Sequence, residues 1–476
     1  MASQTLSVTV PAAPTSRATP AHAAPARPLP PSANTRRAWL RGALGVPATA
    51  TGLALAACGA GGRAATPPAP GSIPPATVSF ATLGDEFYKN APSDTFKQRY
   101  PSLTVEHTVL GAGPVYLEKI LGLLVAGTPP DVWDVGQGTI NEFEKRGEAL
   151  VLDPLIARDT WIDFADFEPS SMYHMGGKRH MLPRDTGVSC IYYNADHWQR
   201  TGLGNPRQLW LDKKWDWNAF LDAARRLTAD SPDGRRYGFG LLGTAPWAIG
   251  PWLWQNGIDY AEWNTNKQTI DRPAAIESLQ WIVDLSQRHR VMPTPDANRS
   301  EMPTFANGRV SMVMDFSFNR GTYSRMQNVK WDVAPLPRGA KATAVHVARN
   351  GFSISTKSKV RDAAWLWLAH ITGKDVTMLA TQEGRVHPPR KSAASSDAFL
   401  KRAGVTADLR PFVDQQPFGQ FGAPHEKRGE LNTLLGQQVP PALNGQISAQ
   451  ALATQMAPMI QQILDQGKDF ADPVKK

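Results

Sequence analysis

From Thr77 onward, the chain alternates short apolar runs, rich in β-branched and aromatic residues, with longer stretches of helical period. In 115–127, for example, apolar residues recur every three or four positions and so share one helix face. Short strands that alternate with amphipathic helices are typical of an α/β fold. The pattern predicts strands at 77–82, 103–110, 131–136, 309–316, 331–337 and 351–355, and helices at 93–99, 115–127, 216–230, 273–289, 362–372 and 448–464.

An uncharged apolar run, 42–57, precedes this region. Its sixteen residues are fewer than the ~20 that a membrane-spanning helix needs, so the run is typical of a signal peptide. The Arg36-Arg37 pair in front of it resembles a twin-arginine export signal, and 55–58, which reads LAAC, resembles a bacterial lipobox. A lipobox implies that Cys58 receives a diacylglycerol, and two acyl chains hold a protein stably at a membrane.

The N-terminal part therefore divides into two expected segments. Residues 1–57 form a disordered extension followed by the lipoprotein signal peptide, and 58–75 form the lipidated cysteine and a Pro-rich tether. We expect an exported protein that is lipid-anchored on the outer face of the cell membrane.

The charge of the chain is concentrated before the fold begins. The formal net charge is +9, and five arginines without any acidic residue lie in 1–57. The remaining excess is spread out, without runs of Lys or Arg, so we expect no nucleic-acid partner. The chain has two cysteines. Since Cys58 is assigned to the lipobox, Cys190 is expected to be a buried and unreactive thiol.

Motifs for catalysis are weak, whereas aromatic residues are abundant. The sequence has neither a serine elbow nor a phosphate-binding P-loop, and the spacing of His174 and His180 does not fit a usual zinc pair, so no catalytic residue, metal or cofactor is predicted. Several of the fifteen tryptophans lie at strand ends or in loops. Aromatic faces stack on sugar rings while polar side chains bind hydroxyls, so the pattern favours a carbohydrate site, with core packing as the alternative for each ring.

Five separated segments, in order, resemble a known family: the extracellular solute-binding proteins of ABC importers, in the carbohydrate-binding family 1 that includes maltose-binding protein. The stretch LPRDTGVSCIYYN resembles the crossover motif of that family and is the most specific of the five. The matching segments are 123–136, 182–203, 305–319, 331–339 and 350–373.

The resemblance implies an α/β, two-lobed periplasmic-binding-protein fold of type II, with discontinuous lobes joined by hinge strands. Lobe 1 would comprise 76–185 and 338–384, and lobe 2 would comprise 189–332 and 388–476. The chain would cross between the lobes near Thr186, Pro335 and Arg385. Hinge closure around a ligand is the expected motion.

The family motifs also imply which residues line the cleft. Many sugar binders carry Trp where this chain has Phe318, which offers a smaller stacking face. The implied ligand-binding residues are Asp85, Glu86, Gln137, Asp185, Trp247, Trp252, Phe318, Asn319, Asn350, Glu383 and Arg385.

The expected function is that of the substrate-binding component of an ABC transporter, without enzymatic activity or cofactor. A monomer would capture a sugar or small oligosaccharide and deliver it to membrane permease subunits. The alternative is a lipid-anchored secreted polysaccharide hydrolase, which needs two placed carboxylates or an activated nucleophile. An adhesion module would predict internal repeats, and the sequence has none.

Overall fold

The computed structural model describes residues 66–69 and 72–466, apart from 85, 112–113, 175–176, 231, 233, 245, 264, 402–404, 422–424 and 426. The predicted signal peptide, Cys58 and Asp85 lie outside the described residues. Among the described residues, no helix combines the length and the apolarity that a membrane span requires.

The described residues follow the predicted alternation of strands and helices. The strands are β1 (Ala76–Leu83), β2 (Leu103–Gly111), β3 (Val132–Gly136), β4 (Leu182–Asn194), β5 (Gly240–Leu241), β6 (Ala261–Glu262), β7 (Lys267–Gln268), β8 (Met312–Phe316), β9 (Trp331–Ala334), β10 (Val345–Ile354) and β11 (Gly419–Gln420). The helices are α1 (Ala91–Arg99), α2 (Pro114–Val125), α3 (Gln137–Lys145), α4 (Asp153–Arg158), α5 (Ala195–Gln199), α6 (Pro206–Leu211), α7 (Trp217–Leu227), α8 (Pro246–Gln255), α9 (Pro273–Ser286), α10 (Pro295–Glu301), α11 (Arg320–Ser324), α12 (Arg361–Ile371), α13 (Lys374–Gln382), α14 (Lys391–Ala394), α15 (Asp397–Leu400), α16 (Arg410–Gln415), α17 (Arg428–Leu443) and α18 (Ala449–Gln466).

The larger sheet of the described part has the order β2-β1-β3-β10-β4-β8-β5, with β11 paired to β10 and β9 paired to β4. Strands β1, β2 and β3 run parallel, and β10 joins them antiparallel. They form lobe 1, whereas β5, β8 and β9 form lobe 2 around the second half of β4. The expected two-lobed α/β fold is confirmed, with β4 and β10 shared by both lobes.

Strand β4 carries the chain from lobe 1 to lobe 2. Its first part, from Leu182 to Val188, pairs with β10, and Ser189 to Tyr193 pair with β8. Nearly all of its side chains are buried. An apolar strand of this length can be covered on both faces and so belong to two cores. The expected crossing at Thr186 falls within this strand.

Strand β10 carries the chain back. Val345 and Val347 pack in the core of lobe 2, whereas Phe352 and Ile354 pack in the core of lobe 1. Leu336, which follows the crossing expected at Pro335, also lies in the core of lobe 2. The structure therefore places the second crossing near the middle of β10, and residues 338–347 lie with lobe 2.

Local contacts explain this later crossing. Strand β9 ends at Ala334, because the prolines that follow it cannot continue a sheet ladder. The backbone N–H of Arg338 then donates to the oxygen of Trp215 in lobe 2 at 2.8 Å. The connection thus stays on lobe 2 until β10 begins.

The last passage between the lobes follows α13. Val386 packs in the core of lobe 1 and Phe399 in that of lobe 2. Between them, the ring of His387 contacts the hydroxyl of Ser317 from lobe 2 at 2.8 Å. This passage starts close to the position expected at Arg385.

Part of the Pro-rich tether lies against lobe 1. Pro67 is half-buried and lines a surface pocket together with Tyr100 and Trp161. The backbone oxygen of Ile73 accepts from the hydroxyl of Ser102 at 3.1 Å, and its side chain packs on the core of lobe 1. The described part of this segment is therefore attached to lobe 1.

Candidate ligand cleft

The candidate site lies where the strands of both lobes end at the crossing. Strand β3 ends at Gly136, which is paired with Asn350 of β10. Strand β8 ends at Phe316, which is paired with Ser189 of β4. Ligands of α/β proteins bind beyond the carboxyl ends of such strands, so the cleft is expected around the centres of β4 and β10.

A buried charge network crosses the floor of this cleft. Nε of Arg184 donates to Asp185 Oδ2 at 2.7 Å, and another guanidinium nitrogen bonds Asp134 of β3. The amide of Asn350 donates to Asp185 Oδ1 at 2.8 Å. Burial opposes the charge of Arg184, but the two carboxylates outweigh it and raise the pKa of Arg184 above its ordinary value.

The network defines what Asp185 and Asn350 do in this conformation. The structure brings together these two predicted residues, from different crossing strands. Each carboxylate oxygen of Asp185 already accepts a hydrogen bond from a protein donor. Asp185 therefore fixes the geometry of the crossing, and a direct ligand contact by its carboxylate stays a prediction.

Aromatic rings form the wall of the cleft on the side of lobe 2. Phe318 is half-buried and stacks on Phe316, with ring centroids 5.0 Å apart and an interplanar angle of 9°. Trp247, also half-buried, lies 5.5 Å from Phe316. His346 of β10 meets Phe316 edge-on at 5.3 Å. The predicted stacking residues Trp247 and Phe318 thus share one aromatic group.

Asn319 supports this wall through a buried carboxylate. Its amide donates to Asp315 Oδ1 at 2.7 Å, and the hydroxyl of Tyr323 donates to Asp315 Oδ2 at 2.8 Å. Burial raises the pKa of Asp315 despite these hydrogen bonds. The amide of Asn319 is therefore used within lobe 2.

Trp252 requires a correction. It is fully buried, and its ring packs against Phe220 at 5.6 Å and Trp217 at 5.9 Å. Helix α8 is buried over nearly its whole length, so this side chain faces the core of lobe 2. We do not retain Trp252 as a ligand contact.

The remaining predicted residues lie at the edge of lobe 1. Glu86 is exposed and forms an ion pair with Lys89 at 2.8 Å, which lowers the pKa of Glu86. Glu383 bonds Arg385, and the guanidinium of Arg385 lies 5.0 Å from the ring of Phe87. Together, these charged side chains form a polar rim around the buried Phe87.

Gln137 begins helix α3 directly after β3, and the structure does not describe its side chain. Its backbone position at the end of a central strand agrees with the predicted location.

Residues 79–378 match the family model described as bacterial extracellular solute-binding protein. The chain belongs to this family. The match covers most of both lobes and includes both crossing strands. Membership in this solute-binding family implies an exported protein and confirms the resemblance seen in the sequence.

Known relatives are distant in sequence and similar in fold. A relative in Brucella abortus (strain 2308) is 24% identical over 335 residues, covering 68% of this chain and 77% of that protein. The sugar-binding protein MalE from Xanthomonas citri has a TM-score of 0.73 at 18% identity, over 83% of this chain and 98% of that one. The cyclic alpha-maltosyl-1,6-maltose binding protein from Arthrobacter globiformis has a TM-score of 0.69 at 18% identity, over 83% and 100%.

In this solute-binding protein, sequence reasoning missed Arg184 and Asp134, whose ion pair belongs to the charge network of the cleft floor. It also missed Arg349 of β10, which is buried with its guanidinium over the ring of Phe421. Because neighbouring side chains of a strand face opposite sides, Arg349 lies on the face away from the bond between Asn350 and Asp185. Phe421 follows β11 and packs against hydrophobic clusters of both lobes. A single charged residue within the apolar run of β10 was the available signal for Arg349.

Proposed function

We propose that the protein is the substrate-binding component of an ABC importer, and that it captures a sugar or small oligosaccharide between its lobes. The observation that carries this proposal is that the aromatic wall and the polar network lie at the same crossing between the lobes. Rings such as Phe318 and Trp247 provide stacking faces, and the network around Asp185 provides a rigid polar floor. The sugar ligands named for the two structural relatives support the same substrate class.

Capture proceeds by closure of the lobes about β4 and β10. These strands pair with each other across the crossing, so a change in their twist rotates one lobe relative to the other. A ligand that contacts both lobes binds the closed state better and shifts the equilibrium toward it. The closed form is then recognised by the membrane permease subunits.

The protein acts by binding, as a monomer and without a cofactor. Among the residues that the structure describes, no contact favours the alternative of a polysaccharide hydrolase. The candidate carboxylates that the structure describes each accept from a basic side chain: Glu86 from Lys89, Asp185 from Arg184 and Glu383 from Arg385. Such pairing suits structural support better than general acid–base chemistry.

Cys58 anchors the protein to the outer face of the membrane through a diacylglycerol. Since the described part of the tether lies on lobe 1, we propose that lobe 1 stays fixed relative to the anchor while lobe 2 moves. The mobile lobe would then carry the aromatic wall toward the floor.

The test is a panel of mono- and oligosaccharides added to the purified protein. A bound sugar should raise the melting temperature by mass action, decrease the radius of gyration in small-angle scattering, and be recovered unchanged. Recovery of cleaved sugar would favour the hydrolase. A panel without any thermal shift would contradict sugar binding.

A further inference from the structure

Three segments meet at the end of lobe 2 that lies opposite the cleft. Strands β5 and β8 run parallel, and their carboxyl ends point toward the cleft. Just before these strands begin, the backbone N–H of Tyr237 donates to the oxygen of Arg309 at 2.8 Å, and that of Phe239 donates to the oxygen of Val291 at 3.0 Å. The length of β8, about 15–20 Å at the rise of an extended chain, separates this end from the cleft. Its surface is therefore free of any part in ligand capture.

Arginines from these segments lie side by side at this end of lobe 2. A guanidinium nitrogen of Arg225 lies 3.0 Å from Nδ1 of His289. Nη2 of Arg235 donates to the backbone oxygen of Arg290 at 3.3 Å, and Nε of Arg309 donates to that of Arg235 at 3.4 Å. We call this surface the basic face; its arginines are Arg200, Arg225, Arg226, Arg235, Arg236, Arg288, Arg290 and Arg309.

Carboxylates neutralise only part of the basic face. The ion pairs are Arg226 with Asp222, Arg235 with Asp230, Arg288 with Asp284 and Arg309 with Glu301. The part of the chain that the structure describes shows no ion pair for the remaining arginines, Arg200, Arg225, Arg236 and Arg290. Excess positive charge that is spread along the sequence is thus concentrated here by the fold.

The pKa values of neighbouring groups are consistent with this positive potential. Burial, followed by the charges of Arg236 and Arg200, lowers the pKa of His197 to about 4. Burial and then the charge of Arg225 lower the pKa of His289. Arg236 is itself affected, because burial and the charge of Arg200 lower its pKa. The arginines therefore repel one another and favour an anionic partner.

An exposed apolar side chain lies at the edge of the basic face. Met302 is 68% exposed, and its backbone φ of 45° lies in the left-handed region that favours glycine. The backbone oxygen of Glu301, the preceding residue, accepts from Nη1 of Arg309 at 2.8 Å. The backbone oxygen of Met302 accepts from Nδ2 of Asn307 at 3.0 Å. These bonds hold an apolar side chain in solvent next to the arginines.

Cationic side chains beside an exposed apolar one suit the surface of an anionic membrane. Guanidinium groups bind phosphate oxygens in a fork geometry, and an apolar side chain enters the boundary between headgroups and acyl chains. The arginines without a carboxylate come from separate segments, so they suit an extended surface better than a single small anion. A protein of an extracellular family, held by the lipid proposed at Cys58, is always close to such a surface.

We propose that the basic face binds the phosphate headgroups of an anionic membrane, with Met302 inserted between them. The cleft, at the other end of lobe 2, stays accessible to solutes. Because lipids diffuse in the plane of the membrane, this contact leaves hinge closure free. The proposal goes beyond sugar capture and does not depend on the ligand of the cleft.

The test is sedimentation with lipid vesicles, using the purified protein with Cys58→Ser so that the anchor does not contribute. One set of vesicles contains phosphatidylcholine alone, and the other contains phosphatidylcholine mixed with phosphatidylglycerol. The protein should bind only the anionic set, and higher salt should weaken this binding.

Substitutions connect the binding to the basic face. Arg200→Gln combined with Arg225→Gln changes two exposed side chains and should weaken binding about tenfold or more, given the usual contribution of each arginine near an anionic surface. Arg272→Gln combined with Lys401→Gln removes the same charge from exposed side chains elsewhere in lobe 2 and should leave binding unchanged. Met302→Ser keeps the charge and should weaken binding several-fold.

The opposite outcomes are equally clear. Absence of binding to anionic vesicles, equal binding to both sets, or equal losses in the two double variants would overturn the proposal. Soluble polyglutamate that binds through Arg200 and Arg225 while vesicles do not would assign the basic face to an acidic protein and also overturn it. None of these results bears on sugar binding in the cleft.

Discussion

Phe318 lies directly over Gly187: a Cβ placed on this glycine would be 2.5 Å from two carbons of the phenyl ring. Gly187 belongs to the crossing strand β4, and Phe318 follows β8 of lobe 2. The glycine is therefore required for space, because only a residue without a side chain lets the ring approach the crossing. This contact connects the aromatic wall to the hinge.

We expect Gly187→Ala to displace Phe318 and to lower the free energy of unfolding by about 1–3 kcal/mol, the usual cost of overpacking. Denaturant unfolding measures this loss. Gly436→Ala is the control, because it adds a methyl group in open space on helix α17 and should stabilise by about 0.5–1 kcal/mol. If the double variant Gly187→Ala with Phe318→Ala is no more stable than Gly187→Ala, the ring is not the source of the strain.

A second prediction concerns the charge network of the crossing. Asp185→Ala leaves the Arg184 and Asn350 donors without this acceptor, so the unliganded protein should lose about 1.5–3 kcal/mol of stability. Asp185→Asn should cost less, since it retains one acceptor oxygen. Chemical denaturation without ligand is the measurement. Unchanged stability together with lost sugar affinity would assign Asp185 directly to the ligand.

Features that depend on local sequence signals could be predicted from the sequence alone. Helix α7 was predicted correctly because its signals are local: Asp216 caps it by accepting from the N–H of Ala219 at 2.9 Å, and its apolar residues recur at helical spacing. The motif around Asp185 indicated the crossing for a similar reason. It could not show that the carboxylate is already bonded, because Asn350 is distant in sequence.

The features that the sequence predicted wrongly or did not predict depend on contacts between distant segments. The crossing expected at Pro335 moves to β10, because that strand is longer than its apolar run suggests and pairs with β3, β4 and β11. Trp252 lies in a helix that is apolar on all sides, so the sequence pattern does not distinguish its buried face from an open one. Arg349 is covered by Phe421 from a remote segment, which no local pattern indicates.

A third prediction concerns pH. His387 is buried between Ser317 and Gln416, and burial, followed by the charge of Arg320, lowers its pKa to about 3. The unfolded chain takes up this proton near pH 6.5, so the folded state is favoured fully above that pH and loses stability as pH falls. The expected loss is up to about 1.4 kcal/mol per pH unit from this group.

His387→Gln should reduce that loss. Urea unfolding of both proteins at pH 7.5 and pH 5.5 gives the difference. Wild type should lose more stability than the variant on going to the lower pH. An equal loss in both proteins would show that His387 does not contribute to the acid sensitivity.

A fourth prediction concerns the anchor. Cys58→Ser removes the thiol that the proposed lipid requires, so the protein should move from the membrane fraction to the soluble fraction of cells. Cys190→Ser is the matched control, because this other cysteine is buried in lobe 2 and bonds Gln415. The control should stay with the membrane. Membrane retention of Cys58→Ser would exclude the lipobox interpretation.

The last prediction separates a ligand-facing ring from a core ring within one helix. Trp247 and Trp252 both belong to α8, but Trp247 is half-buried beside Phe316, whereas Trp252 is fully buried. Trp247→Ala should therefore lower sugar affinity about three- to ten-fold, the value of one stacking face, with little change in the unliganded stability. Trp252→Ala should cost about 3–5 kcal/mol of stability, because it empties a core position. Thermal unfolding without ligand and calorimetry with the bound sugar measure the two quantities separately. A large stability loss in Trp247→Ala with normal affinity would assign both rings to the core and would leave Phe318 as the stacking face of the proposed site.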